Sequence, residues 1–110
     1  MALQISVLTK QYIKIPLEPI KVAGVYVNPT ADVVQMAFVT TGVPAGGDWK
    51  SASWETDATT EPDTYTVRCL VGGTGTGATA ELAAGSYTIW LKITDSPEVP
   101  VQPVGRLEVV

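Results

Sequence analysis

Three stretches of the sequence gather residue types that do chemistry. "GGTGTGA", from Gly72 to Ala78, fits a G-x-G-x-x-A pattern. In dinucleotide-binding folds such a loop opens a helix whose first amides face the pyrophosphate. Here barely one turn precedes a strand starting at Ser86, so the glycines read as an inter-strand loop exploiting positive φ. "ETDATTEPD" supplies Asp57, Glu61 and Asp63, hard oxygen ligands of the kind calcium takes. Without the dense ligand run and central glycine of an EF-hand, it reads as a solvated loop. "WLKITDSPEVP", from Trp90 to Pro100, sets Asp95 and Glu98 beside Pro97 and Pro100 directly after an apolar stretch. Asp95 and Ser96 initiate a turn and Pro97 fixes the next φ. With no cation or metal ligand nearby in sequence, Asp95 to Pro103 is expected to be a stiff loop suited to contact.

Nucleophilic and acid–base chemistry find little support. Cys69 is the only cysteine and the chain has no histidine, so neither a Ser-His-Asp nor a Cys-His arrangement is available. In "TYTVRCLV" alternation puts Cys69 on the face of Tyr65, Val67 and Val71, where a free thiol behaves as a small hydrophobe. A lone buried thiol fits folding in a reducing cytosol. A glycosidase needs two carboxylates facing across a cleft, and the sequence marks out no such pair. The expectation is a protein that is not an enzyme and uses no cofactor or metal.

Charge narrows the partners. The formal net charge is −4, with seven cationic residues scattered from Lys10 to Arg106 and no two adjacent. Nucleic-acid binding needs clustered Lys and Arg to displace counterions, so it is not expected. No run of eighteen apolar residues marks a membrane helix, and "MALQISVLTKQYIK" lacks the features of a secretory signal. Met1 opens the sequence, as expected of a complete gene product.

The elements that hold these residues are strands. At 110 residues the chain is expected to be one domain, 1–110, able to bury roughly two-thirds of its unfolded surface. "LQISVLT" alternates with Leu3, Ile5 and Val7 on one side; residues 1–10 form an N-terminal arm or a first strand. "YIKIPL" sets Ile13, Ile15 and Leu17 against Tyr12, Lys14 and Pro16, and the proline points to an edge. "IKVAGVYV" is a weaker strand with Gly24 as a bulge. "DVVQMAFVT" is apolar on both faces, as in a central strand. "SYTIWLKIT" places Tyr87, Ile89, Leu91 and Ile93 on one face and Thr88, Trp90, Lys92 and Thr94 on the other. "ATAELAAG" offers one helical turn at most. Seven or eight short strands without crossover helices imply an all-β, immunoglobulin-like antiparallel β-sandwich. In "LAAGSY", Tyr87 stands where a corner tyrosine ties its hydroxyl to nearby backbone.

Alternation also sorts the tryptophans. Trp90 lies opposite Tyr87 and Ile89, while Trp49 and Trp54, five apart, point to opposite faces, so one or two indoles lie off the core. Trp49, Trp54 and Trp90, with Asp95, Pro97, Glu98 and Pro100 of the loop, are the candidate protein contacts. Tryptophan is enriched at interface hot spots; the alternative is a sugar-stacking platform.

The stretches "NPTADVVQMAF", "DWKSASWE", "RCLVGGTGTG", "LAAGSYTIWLKITDSPEVPV" and "VGRLEVV" resemble small structural proteins of tailed bacteriophages, especially of phages infecting actinobacteria. The resemblance covers about ninety residues and rests mostly on strand and turn residues. It implies an immunoglobulin-like virion component made in the host cytoplasm, a capsid decoration or head-to-tail (neck) protein. Its partners would be other virion proteins, such as major capsid, portal, connector or tail proteins, met as a homo-oligomer or symmetric array. The alternative within this resemblance is a tail or baseplate accessory module contacting host glycans. The family supplies no catalytic residues to carry over. By this reading "MALQISVLTK" is the segment that would serve as a docking arm.

Overall fold

The computed structural model describes residues 2–17, 21–22, 24–26, 30–57, 59, 64–94 and 101–110. Eleven strands lie among them: β1 (Ala2–Ile5), β2 (Lys10–Leu17), β3 (Lys21–Val22), β4 (Val25–Tyr26), β5 (Val33–Val39), β6 (Trp49–Ser51), β7 (Ser53–Asp57), β8 (Thr64–Gly73), β9 (Ala80–Leu82), β10 (Gly85–Thr94) and β11 (Val101–Val109). The only helical element among the described residues is a single 3-10 turn at Gly46–Asp48.

The chain is an all-β sandwich. Sheet A runs β1-β11-β10-β5-β6; sheet B runs β2-β8-β7, with β9 also paired to β8. Between the sheets lies one apolar cluster. Ile13, Val67, Cys69 and Val71 reach it from sheet B, and Met36, Phe38, Ile89, Leu91 and Leu107 from sheet A. Each is at most 8 % exposed, which is why strict alternation in β2, β8 and β10 was readable as strand. β5 sits between β10 and β6, as its two-sided apolar character requires.

Several details depart from the sequence expectation. More strands form than seven or eight because short pieces add to the count. Lys21–Val22 and Val25–Tyr26 make a small hairpin with Gly24 at φ 82° in its turn, so this glycine reverses the chain and does not bulge one strand. "WKSASWE" is two strands on different sheets: the chain leaves sheet A after Ser51 and enters sheet B at Ser53, and the Ala52 amide donates to the Val34 carbonyl at the crossing. "ATAELAAG" forms β9 in place of a helical turn, because Ala80 and Leu82 alternate into the core with Glu81 outside.

Pairing is not antiparallel throughout. β1 runs parallel to β11, and β9 parallel to β8, each over a few residues. Residues 2–10 are therefore held within the fold: Ile5 is buried and the Val7 amide donates to the Val110 carbonyl at the C-terminus. Ala2–Ile5 is thus a first strand, and Lys10 already opens β2. β11 begins at Val101, so the last residues assigned to the proline loop, Val101 to Pro103, are strand. Residues 101–105 of β11 extend beyond β1, leaving that part of the strand as a sheet edge that tolerates Pro103. Pro16 lies on β2, the edge of sheet B, as expected. The metal-ligand reading of "ETDATTEPD" and the contact residues Asp95, Pro97, Glu98 and Pro100 fall on side chains outside the described residues.

Candidate functional site: an aromatic row on the outer face of sheet A

The register of sheet A decides where the tryptophans go. Trp90 on β10 stands opposite Pro103 of β11 and Ala37 of β5, and Ala37 stands opposite Trp49 of β6. A single row, Pro103–Trp90–Ala37–Trp49, thus crosses four strands on the face turned away from the core. The next row, Val101–Lys92–Gln35–Ser51, follows on one side, and Arg106–Thr88–Val39 on the other. A bulge between Ile89 and Trp90 sets the register of β11: Gly105 faces Ile89 while Pro103 faces Trp90.

Ala37 and Val39 are buried, yet neither belongs to the inter-sheet cluster, so this outer face carries apolar cover of its own. An alanine between two indoles gives large side chains room on a pleated surface. Val33 and Val101, at 63 % and 45 % exposure, extend the apolar surface at one end of the face. The Trp90 indole N–H is buried and meets no acceptor. A buried unpaired donor costs about 1–3 kcal/mol, and only the packing of the ring offsets it. The Lys92 ammonium lies 4.4 Å from the centre of the Trp49 ring, a cation–π contact reaching diagonally across the sheet.

Trp54 does not join this row. It faces inward from β7, packs on the core, and its indole N–H donates to the Asp32 carbonyl at 2.9 Å. Alternation survives the crossing at Ala52 because the inner side of one sheet continues as the inner side of the other. Trp49 and Trp54 therefore do face opposite ways, and Trp54 leaves the set of surface contacts. Sequence reasoning missed Ala37 and Arg106 as members of the face, and it placed Pro103 in a contact loop where the structure has it in β11 opposite Trp90. The same alternation that exposes Trp90 flags Lys92, but neighbours across strands depend on register.

The other places where chemistry was considered are structural. Gly72 and Gly73 are buried at the end of β8, Gly75 and Gly77 adopt φ of 87° and 79°, and the chain turns there into β9 with no helix to receive a phosphate. The Gly77 amide is held by the Glu81 carboxylate at 2.9 Å. Cys69 is 1 % exposed with Sγ 3.5 Å from the Ser51 carbonyl oxygen. Burial pushes its thiol up from about 9 to about 11, against a smaller downward pull from the Lys50 charge. On the outer face of sheet B, Glu55 is shared by Lys14 at 3.2 Å and Arg68 at 3.4 Å, and Arg68 lies 4.6 Å from the Tyr12 ring centre. Two cations thus share one carboxylate, all partly exposed, as on an ordinary solvated face.

Among the described residues two recesses stand out. One, of about 200 Å³, lies beside Tyr12, Ser53 and Arg68. The other, of about 260 Å³, opens between the sheets where β2 and β11 are both edges, lined by Leu3, Ile15, Pro16, Ile89 and Val104. Neither brings two carboxylates together among the described residues. Among those residues no group of three or more Cys, Asp or Glu side chains is placed to hold a metal ion, and no helix is long and apolar enough to cross a membrane.

Comparison with protein-family models, curated proteins and solved structures returns no match.

Proposed function

We propose that this chain is a non-catalytic structural protein of a tailed-bacteriophage particle, binding other virion proteins as a capsid decoration or neck component. The observation that carries the reading is the row Pro103–Trp90–Ala37–Trp49. It is an aromatic surface held on a rigid sheet, outside the core that stabilises the fold. Aromatic anchors on a pre-formed face lose little conformational entropy on docking, which suits them to protein interfaces.

Three further features support the reading. The quoted sequence stretches resemble phage structural proteins. The strand orders β2-β8-β7 and β5-β10-β11 follow the B-E-D and C-F-G orders of an immunoglobulin-like sandwich. Tyr87, at the start of β10, donates its hydroxyl hydrogen to the Ala83 carbonyl at 2.7 Å, the tie expected of a corner tyrosine. The raised Cys69 thiol and the absence of histidine from the sequence leave little for nucleophilic chemistry. A glycan platform is the weaker reading, because Lys92 lies over the Trp49 ring where a sugar would stack.

The test is composition and imaging of particles purified from the phage that encodes the chain. The chain should be present in a fixed ratio to a shell protein, and Trp90→Ala should lower that ratio while the isolated domain stays folded. Particles without the chain, or binding of the isolated chain to polysaccharide by tryptophan quenching, would overturn the proposal.

A further inference from the structure

The charges around the aromatic row say what kind of protein surface it receives. This step rests on the reading above and adds the chemistry of the partner. Trp90 is bracketed on its own face by Arg106, one row away, and by Lys92, one row away on the other side. Neither cation enters an ion pair among the described residues, where the only ion pairs are those of Glu55 on sheet B. The three rows from Arg106 to Ser51 contain no carboxylate; Glu108, opposite Ser86, lies a further row away at the end of the sheet. In a chain with eleven acidic residues against seven basic ones, these three rows have the opposite sign to the molecule as a whole.

We infer that the outer face of sheet A docks on an acidic protein surface that flanks an apolar centre with carboxylates, one set for Lys92 and one for Arg106. Charge complementarity of this kind steers encounter and fixes register more than it adds affinity. The partner is a protein other than a second copy of this chain. Four strands about 4.8 Å apart and eight residues about 3.3 Å apart span roughly 500 Å² of sheet, below the about 800 Å² per partner of a stable interface. Two copies meeting through this face alone fall short, whereas many copies on one particle gain by avidity.

The experiment is cosedimentation of the purified chain with particles of the encoding phage stripped of it, at low and high salt. Wild type is compared with Lys92→Glu/Arg106→Glu, with Lys10→Glu/Lys14→Glu on the opposite sheet, and with Trp90→Ala, all checked for folding by circular dichroism. The expected result is weaker wild-type binding at high salt and a loss of about tenfold or more for the Lys92/Arg106 reversal. The Lys10/Lys14 reversal should bind as wild type does. If Trp90→Ala weakens binding while the Lys92/Arg106 reversal does not, the docking face stands and the acidic partner falls. If wild type does not bind at all, both fall. Salt-sensitive self-association of the free chain that the Lys92/Arg106 reversal abolishes would also overturn the inference, by making the partner a second copy.

Discussion

Adjacent residues of β10 separate the core from the proposed docking face, and truncating each in turn tests that division. Leu91 is 1 % exposed and packs between the sheets. Cutting such a leucine to alanine costs about 2–5 kcal/mol, the loss of buried methylenes plus the cavity left behind. For a domain near 100 residues each kcal/mol moves the midpoint by about 4 °C or more, so Leu91→Ala should melt at least about 8–20 °C below wild type. Trp90→Ala removes more atoms, but the ring stays partly exposed and lies outside the inter-sheet cluster. Roughly two-thirds of the usual cost of an aromatic truncation, about 2–3 kcal/mol, is the starting figure. Against it stands the buried indole N–H without an acceptor, whose removal returns about 1 kcal/mol or more. The net is about 1–2 kcal/mol, a shift of about 4–8 °C or a little more. Trp90→Phe keeps an aromatic ring and deletes the unpaired donor, so it should stay within about 1 kcal/mol of wild type. Differential scanning calorimetry of the variants reads all of this. A Trp90→Ala midpoint as low as that of Leu91→Ala would make Trp90 a core residue and remove the docking face.

Gly73→Ala should be the most damaging glycine substitution, because its new Cβ would fall on the Val7 carbonyl and displace the turn between β1 and β2. A cost of about 3 kcal/mol is expected in urea melts, whereas Gly46→Ala, with open space around it, should be neutral. Tyr87→Phe should cost about 1 kcal/mol by loss of the hydroxyl bond to Ala83, measured by the same melts. Cys69 keeps its proton to about pH 11 when folded but titrates near 9 when unfolded, so its contribution to stability is whole below about pH 9. That contribution should decline between about pH 9 and 11 as the unfolded chain releases a proton the folded one retains, by up to about 1.4 kcal/mol per pH unit. Cys69→Ala should flatten that part of the stability curve, and the native thiol should resist alkylation at pH 8.

Most of the strands were legible because burial on one face writes itself into a strand at period two. Ile13 and Ile15, Val67 and Cys69, and Ile89 and Leu91 needed only their own neighbours in sequence to be placed inward. Where the expectation failed, a contact distant in sequence decided the matter. "ATAELAAG" has helix formers by composition, but three residues beside β8 bury Ala80 and Leu82, and that burial outweighs local preference. Residues 1–10 read by sequence as either an arm or a first strand, since nothing local reveals that β11 lies beside Ala2–Ile5 in parallel.

The candidate site divides along the same line. That Trp90 and Trp49 leave the core follows from alternation; that they lie in one row does not. Their alignment requires β5 to stand between β10 and β6, and the chain to cross to the second sheet at Ala52. Yet a trace of the row is present in β5. Among Val34, Met36, Phe38 and Val39, all large and buried, Ala37 is the one small residue, fully buried although it faces outward. A small residue in the middle of a strand that is apolar on both faces is placed by the size of what flanks it. At Ala37 the flanking positions belong to two indoles. The pair is therefore accommodated by the backbone of sheet A itself, and enlarging Ala37 should disturb the docking face before it disturbs the core.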